Sequence, residues 1–303
     1  MEKMLIIGGS GFIGTSIAKY YLGKYDLTIL DKEQMEQSLF DEKINFINHD
    51  MCTQAFGNVE KDFSYIINCA SILGIETVMK NPITTLKSNV LMAKNALKIV
   101  ESQAILKKYI YLSTSEVYGE NSENAIESQS LNIGLPHEGR WSYAISKLFS
   151  EFQLLHDPIS SNFNVNIVRP FNIYGVGRGS EGAVNKIVND MITTSKVTVS
   201  SGGTQKRAWC EITDFLDGLN RVLRFGESKE IYNIGNPNEI YSINEVLELA
   251  KKNVKKNFRI IETELNQDIS IRYPNIGKLE KLGYKPTVSL NEGIKKIISG
   301  LEV

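Results

Sequence analysis

The chain has 303 residues, with 34 Lys and Arg against 35 Asp and Glu, and a net charge of −1 at pH 7. A hydrophobic fraction of 42% and a charged fraction of 23% exclude a disordered chain. The length suits two domains, or one large α/β unit with an appended lobe, and the balanced charge excludes a global basic field for nucleic acid or an anionic membrane. Any phosphate-bearing ligand therefore needs a local site.

In chain order, a strand candidate at 5–7 comes first, with no leader-like charged and apolar stretch ahead of it. No apolar run reaches the roughly 18 residues of a membrane span. Ile6-Ile7-Gly8-Gly9-Ser10-Gly11-Phe12-Ile13-Gly14 joins this strand to a helix candidate at 13–22. Glycines at 8, 11 and 14 give G-x-x-G-x-x-G, and those at 9, 11 and 14 also satisfy G-x-G-x-x-G. Glycine permits the tight turn and lets the backbone approach a pyrophosphate, while the helix start offers free N–H groups and partial positive charge. The second strand candidate, 27–30, ends at Asp31. A carboxylate there accepts hydrogen bonds from an adenosine ribose and repels a 2′-phosphate, which points to NAD rather than NADP. Asp50-Met51 follows the third candidate, 44–47, in position to flank an adenine. Asn68-Cys69-Ala70-Ser71 ends the fourth, 65–68, with small residues that let a cofactor lie close to the backbone.

A helix candidate at 82–100 leads to the fifth strand, 109–113, and to Ser113-Thr114-Ser115-Glu116. Ligands of a doubly wound sheet bind beyond the carboxyl ends of its strands, so these hydroxyls fall where a substrate alcohol would lie. The next helix, 142–156, carries Tyr143 and Lys147. Residues i and i+4 share a helix face, so phenol and ammonium sit side by side. A nearby cation favours phenolate, which makes Tyr143 a usable base. The sixth strand candidate is 165–168. These short runs of Ile, Leu, Val and Tyr show little alternation, as parallel strands buried on both faces do. With helices between them they predict a Rossmann-type doubly wound α/β sheet with right-handed crossovers.

Past Arg169 the regularity breaks. Glycine recurs at Gly175, Gly177, Gly179, Gly182, Gly202 and Gly203. Shorter elements follow at 184–192 and 197–200, then a helix near 215–225, and Ser242-Ile243-Asn244-Glu245 reads as a capping box opening a helix to about 256. Three widely spaced cysteines (Cys52, Cys69, Cys210) and three histidines (His49, His137, His156) give little material for disulfides or for a metal site, and fit a reducing cytoplasm. The expected organisation is an NAD-binding Rossmann domain over 1–171, with about 208–235 added, and a smaller interleaved α/β lobe over most of 172–303.

These motifs resemble the extended short-chain dehydrogenase/reductases, the branch of nucleotide-sugar epimerases, dehydratases and decarboxylases. Gly8-x-x-Gly11-x-x-Gly14, Asp31, Asp50, Asn89, Ser113-Thr114-Ser115, Tyr143-x-x-x-Lys147 and Arg169-Pro170-Phe171-Asn172-Ile173-Tyr174-Gly175 stand in that family's order over nearly the whole chain. The resemblance implies NAD-dependent oxidation of a nucleoside-diphosphate sugar at C4. Tyr143 would be the base, Lys147 would hold the nicotinamide ribose and lower the phenol's pKa, and Thr114 takes the catalytic Ser/Thr position. Gly8, Gly11, Phe12, Ile13, Gly14, Asp31, Asp50, Met51, Ala70, Ser71, Asn89 and Ser113 are implied on the cofactor side. Ser115, Asn172, Arg207 and Arg272 are implied on the substrate side. Arginine suits bidentate phosphate contacts, with a surface ion pair as the plain alternative for Arg207 and Arg272. No metal is implied.

Glu116 is expected to act as a C5 base or to orient the sugar. Thr114-Ser115-Glu116 is similar to the triplet of UDP-glucuronate decarboxylases and GDP-mannose 4,6-dehydratases, whereas dTDP-glucose dehydratases carry Asp where Ser115 stands. Ile7 for the usual Thr, the missing Pro after Tyr174-Gly175, and Asn275 for Asp are departures. Epimerase/dehydratase chemistry leads. NDP-uronate decarboxylation, or release of a 4-keto sugar, is the enzymatic alternative, and an NAD-sensing binding protein is the non-enzymatic one. The family also implies a homodimer through a four-helix bundle, to which Leu86, Val90, Ala93, Leu97, Leu148 and Phe152 could contribute.

Overall fold

The computed structural model describes residues 1–35, 44–53, 59–177, 182–254, 256–263 and 269–301, so Gly179 lies outside the described residues. The first part contains β1 (Lys3–Ile7), α1 (Phe12–Tyr21), β2 (Asp26–Asp31), β3 (Asn45–Asn48), β4 (Tyr65–Asn68), α2 (Ile75–Lys80), α3 (Pro82–Glu101), β5 (Lys108–Leu112), α4 (Trp141–His156) and β6 (Asn164–Pro170). Then come β7 (Ile173–Tyr174), α5 (Ala183–Thr193), β8 (Lys196–Ser200), β9 (Lys206–Ala208), β10 (Cys210–Glu211), α6 (Ile212–Phe225) and β11 (Glu230–Ile234). The chain continues through β12 (Ile240–Ser242), α7 (Ile243–Asn253), β13 (Arg259–Thr263), β14 (Ile271–Arg272), α8 (Gly277–Glu280) and α9 (Leu290–Leu301).

Seven strands form one sheet in the order β3-β2-β1-β4-β5-β6-β11. Every pairing in it is parallel. Successive side chains leave opposite faces. Met4, Ile6, Ile29 and Ile110 join a core with α1 and α6, while Leu5, Ile7, Ile66 and Tyr109 join one with α3 and α4. Cover on both faces is why the inner strands read as unbroken apolar runs. β5 is buried at all five positions, whereas the edge strand β3 has no fully buried residue. β11 completes the sheet beside β6; its Asn233 and Glu230 interrupt the apolar pattern and hide it from a sequence reading.

The strand order reverses between β1 and β4, which opens a crevice beyond their carboxyl ends. A third core lies under α5, α7 and α9 and contains Val184, Val188, Val197, Val246 and Ile294. α7 opens on the expected capping box, with Ser242 and Glu245 bonded reciprocally, and stops at Asn253, short of 256. A small sheet, β12-β9-β14, carries Arg207 and Arg272. Among the described residues no helix is long and apolar enough to cross a membrane.

Candidate active site

The glycine loop is shaped by contacts that leave no room for a side chain. Gly8 has φ +76°, and a Cβ on it would meet the Ala70 backbone at 2.6 Å. A Cβ on Gly14 would meet Gly8 O at 2.3 Å. Gly11 differs: its nearest neighbour would be Gly8 O at 3.9 Å, so a methyl there would project into an open cradle. Gly11 caps α1 with no side-chain hydrogen bond, and no acidic residue occupies the helix's first turn. The first-turn N–H groups, from Phe12, Ile13 and Gly14, are left for a ligand with acceptor oxygens. A dinucleotide pyrophosphate fits this donor set.

Asp31 ends β2 and accepts from Ser10 N (2.9 Å) and Glu33 N (3.0 Å), which ties the acid to the loop. Asp50 accepts from Cys52 N at 2.8 Å, and Met51 is buried with its carbonyl held by Asn95. At the end of β4, Asn68 Oδ1 accepts from Ala70 N. Asn89 is buried and clasps Ile72 at both its N–H (2.7 Å) and its carbonyl (3.0 Å). Its amide therefore braces the Ser71-Ile72 turn.

α4 places Tyr143 and Lys147 on the face toward the end of β5. Thr114 Oγ1 accepts from Glu116 N at 3.2 Å and caps the short turn Ser115–Tyr118, in which Ser115 is buried. Ser71 and Thr114 flank the Tyr143 phenol, and their hydroxyls pull its pKa down. Burial, and after it the Glu116 carboxylate, win over them and raise it above the ordinary tyrosine value. The expected lowering by Lys147 is thus not produced by this arrangement of side chains. Lys147 Nζ lies 5.9 Å from the Tyr143 ring centroid, donates to Leu112 O at 2.7 Å and sits 4.8 Å from the Tyr111 ring centroid. Burial brings its own pKa down to about 8, against the upward pull of Cys69 and Glu151.

The substrate-side arginines meet through strand register. Arg207 on β9 pairs with Arg272 on β14 in a parallel ladder. They are 7% and 5% exposed, which sets aside a surface ion pair. Arg207 donates to Lys206 O (2.8 Å) and Ile269 O (2.7 Å). Arg272 Nη1 stands 3.7 Å from Glu116 Oε1 and so joins the lobe to the end of β5. Asn172 adopts φ +44°, which Asn tolerates better than most residues. Its side-chain amide donates to Ala208 O at 3.1 Å, next to Arg207. Ser113 spends its hydroxyl on Glu151 rather than on the crevice.

Glu151 is the residue that motif reading passed over. It lies two turns along α4 from Tyr143 on the same face, so the spacing Tyr143, Lys147, Glu151 was a usable signal.

A phenol, a hydroxyl and an ammonium gathered at the mouth of a phosphate cradle suit proton removal from an alcohol during its oxidation. The doubly wound sheet and its glycine loop define a dinucleotide-binding α/β fold. Residues 4–235 match the model of the NAD dependent epimerase/dehydratase family, and the chain belongs to that family. It is 28% identical over 308 residues to UDP-glucuronic acid decarboxylase 1 of Xenopus tropicalis, covering 98% of this chain and 71% of the relative. It is 27% identical over 318 residues to the UDP-N-acetyl-alpha-D-glucosaminuronate decarboxylase of Bacillus cytotoxicus, covering 98% and 97%. The UDP-glucose 4-epimerase of Thermus thermophilus, solved with NAD, shares the fold with a TM-score of 0.84 at 21% identity over 99% of both chains. The chain is an NAD-dependent enzyme, and the binding-protein alternative falls away.

Proposed function

We propose that the protein oxidises the C4 hydroxyl of a nucleoside-diphosphate sugar, in the manner of epimerases and dehydratases. The observation that carries this reading is the Glu116–Arg272 contact, which sets a cation-lined substrate lobe against Thr114 and Tyr143. The Gly11 cradle, Asp31 and Lys147 would hold NAD, which would supply a two-electron acceptor and a positively charged ring. Tyr143 Oη takes the proton of the sugar hydroxyl while Thr114 hydrogen-bonds the same oxygen. Lys147, with its pKa brought down to about 8, remains largely protonated at neutral pH and offers a hydrogen-bond donor to the ribose. Arg207 and Arg272 hold the diphosphate or a sugar carboxylate, and Glu116 serves as a C5 base or orients the sugar.

The second reading is decarboxylation of an NDP-uronate. It is favoured by Thr114-Ser115-Glu116 and by the decarboxylase relatives that align with nearly the whole chain. Incubation with UDP-, dTDP- and GDP-sugars and their uronates, followed by A340 and product NMR, separates the readings. Inverted sugar marks epimerisation, a 4-keto-6-deoxy product dehydration, and CO2 with a pentose decarboxylation, while NADH with a free 4-keto sugar marks release. Absence of turnover on every nucleotide sugar would overturn the proposal.

The division of labour proposed with it gives NAD binding to residues 1–171 with about 208–235, and sugar-nucleotide binding to most of 172–303. We place the protein in a reducing cytoplasm, which its three free cysteines suit.

A homodimer completes the reading. Of the residues expected in its interface, Leu97 and Ala93 pack into the monomer's core and Leu148 packs beside Tyr118. Phe152 remains exposed at 64%, joined by Ile145 and Phe149 on the same face of α4 and by Ile83 at the start of α3. Phe149→Glu with Phe152→Glu is expected to halve the mass measured by light scattering. An unchanged mass would place the interface elsewhere or show a monomer.

A further inference from the structure

A continuous chain of buried polar side chains runs beneath the site and joins its two halves. Ser113 Oγ donates to Glu151 Oε1. The Arg169 guanidinium donates to both Glu151 oxygens, from Nε at 2.9 Å and from Nη2 at 2.6 Å. Arg169 Cζ lies 4.7 Å from the Tyr118 ring centroid, and Tyr118 Oη donates to Asn233 Oδ1 at 2.7 Å. Asn233 Nδ2 donates to Ala125 O (2.8 Å) and Asn275 O (3.3 Å). Asn275 N in turn donates to Ala125 O, which fastens the segment just after Arg272 to the loop that follows Glu116. Glu151, Arg169, Tyr118 and Asn233 are each at most 2% exposed.

We infer that this chain positions the reacting groups: Glu151 and Arg169 set Tyr143 against Thr114, and Tyr118 and Asn233 set Arg272 against Glu116. Three features carry the inference. Glu151 continues the Tyr143–Lys147 face, so holding it fixes the rotation of α4. Its partners are Ser113, directly after β5, and Arg169, within the adjacent strand β6. Buried ion pairs contribute little net stability, because desolvation offsets their attraction, so one held by two parallel hydrogen bonds is better explained by the geometry it enforces. Neither Glu151 nor Arg169 touches the crevice itself, which makes them positioning residues and not catalytic ones.

The test replaces the pair together, Glu151→Leu with Arg169→Met, so that no lone charge stays buried. Tm is expected to stay within about 5 °C and NAD affinity within about threefold, while kcat falls about 30-fold or more with KM nearly unchanged. The 13Cζ resonance of Tyr143, assigned by its loss in Tyr143→Phe, is expected to move by more than its linewidth. Tyr118→Phe removes one hydroxyl at the other end, and should raise KM about fivefold with kcat nearly unchanged. The kinetic arm rests on the nucleotide-sugar reading; the NMR arm does not. If wild type turns over no nucleotide sugar, that reading fails, and the Tyr143 resonance still decides the positioning role. A double variant that unfolds, that keeps both kcat and the resonance, or that loses kcat only in step with NAD affinity would overturn the inference.

Discussion

Tyr143→Phe is expected to leave a folded protein that binds NAD and turns over about 10²–10⁴-fold more slowly, the usual loss when a positioned acid–base is removed. The ring stays, so the packing of α4 against β5 is kept, and only the oxygen that receives the proton is lost. Turnover at the wild-type rate, followed by A340 and product NMR, would mean that Tyr143 is not the base. The same site makes a signed pH prediction. Glu116 raises the phenol's pKa through its negative charge. Glu116→Gln removes that charge, lowers the pKa, and so places phenolate at lower pH. The rising limb of the kcat profile should therefore move toward acid, even if Glu116 has a second role at C5 and the plateau drops. A limb that moves toward base, or not at all, would show that Glu116 does not govern Tyr143.

Two alanine substitutions in the glycine loop should part company. Gly11→Ala is expected to keep the fold, with a loss of about 1 kcal/mol or less from a weaker cap. Its methyl enters the cradle, where no protein atom would lie closer than 3.9 Å, and NAD affinity should fall about 100-fold or more because the pyrophosphate is blocked from the α1 N–H groups. Gly14→Ala drives a methyl to 2.3 Å from Gly8 O. Backbone cannot step aside as a flexible side chain does, so this variant should lose about 1–3 kcal/mol of stability as well as NAD. Thermal unfolding with and without NAD, and calorimetric titration of NAD, distinguish the two. Equal stability losses would show that the Gly11 cradle is a packed turn and not a ligand site.

The parts legible in the sequence share a physical character: each is local. The buried parallel strands announce themselves because both faces are covered, so β1, β2, β4 and β5 read as apolar runs. Tyr143 and Lys147 are visible because helix geometry alone puts i and i+4 together. The glycine loop is visible because a turn that tight, followed by a helix start, admits few other residues. β11 was hidden because Asn233, buried and bonded to Tyr118, breaks its pattern for a reason that lies elsewhere in the chain.

The balanced charge meant that any phosphate-bearing ligand needs a local site, and the motif spacing pointed to its cofactor half. Tertiary structure decided the rest. It put Arg207 and Arg272, far apart in the chain, side by side in register, and brought Arg272 to Glu116. It turned Ser113 away from the crevice toward Glu151, and raised the Tyr143 phenol where the spacing with Lys147 argued for lowering it. Burial and long-range pairing set these outcomes. Both depend on which strands and helices meet, and no window of neighbouring residues carries that information.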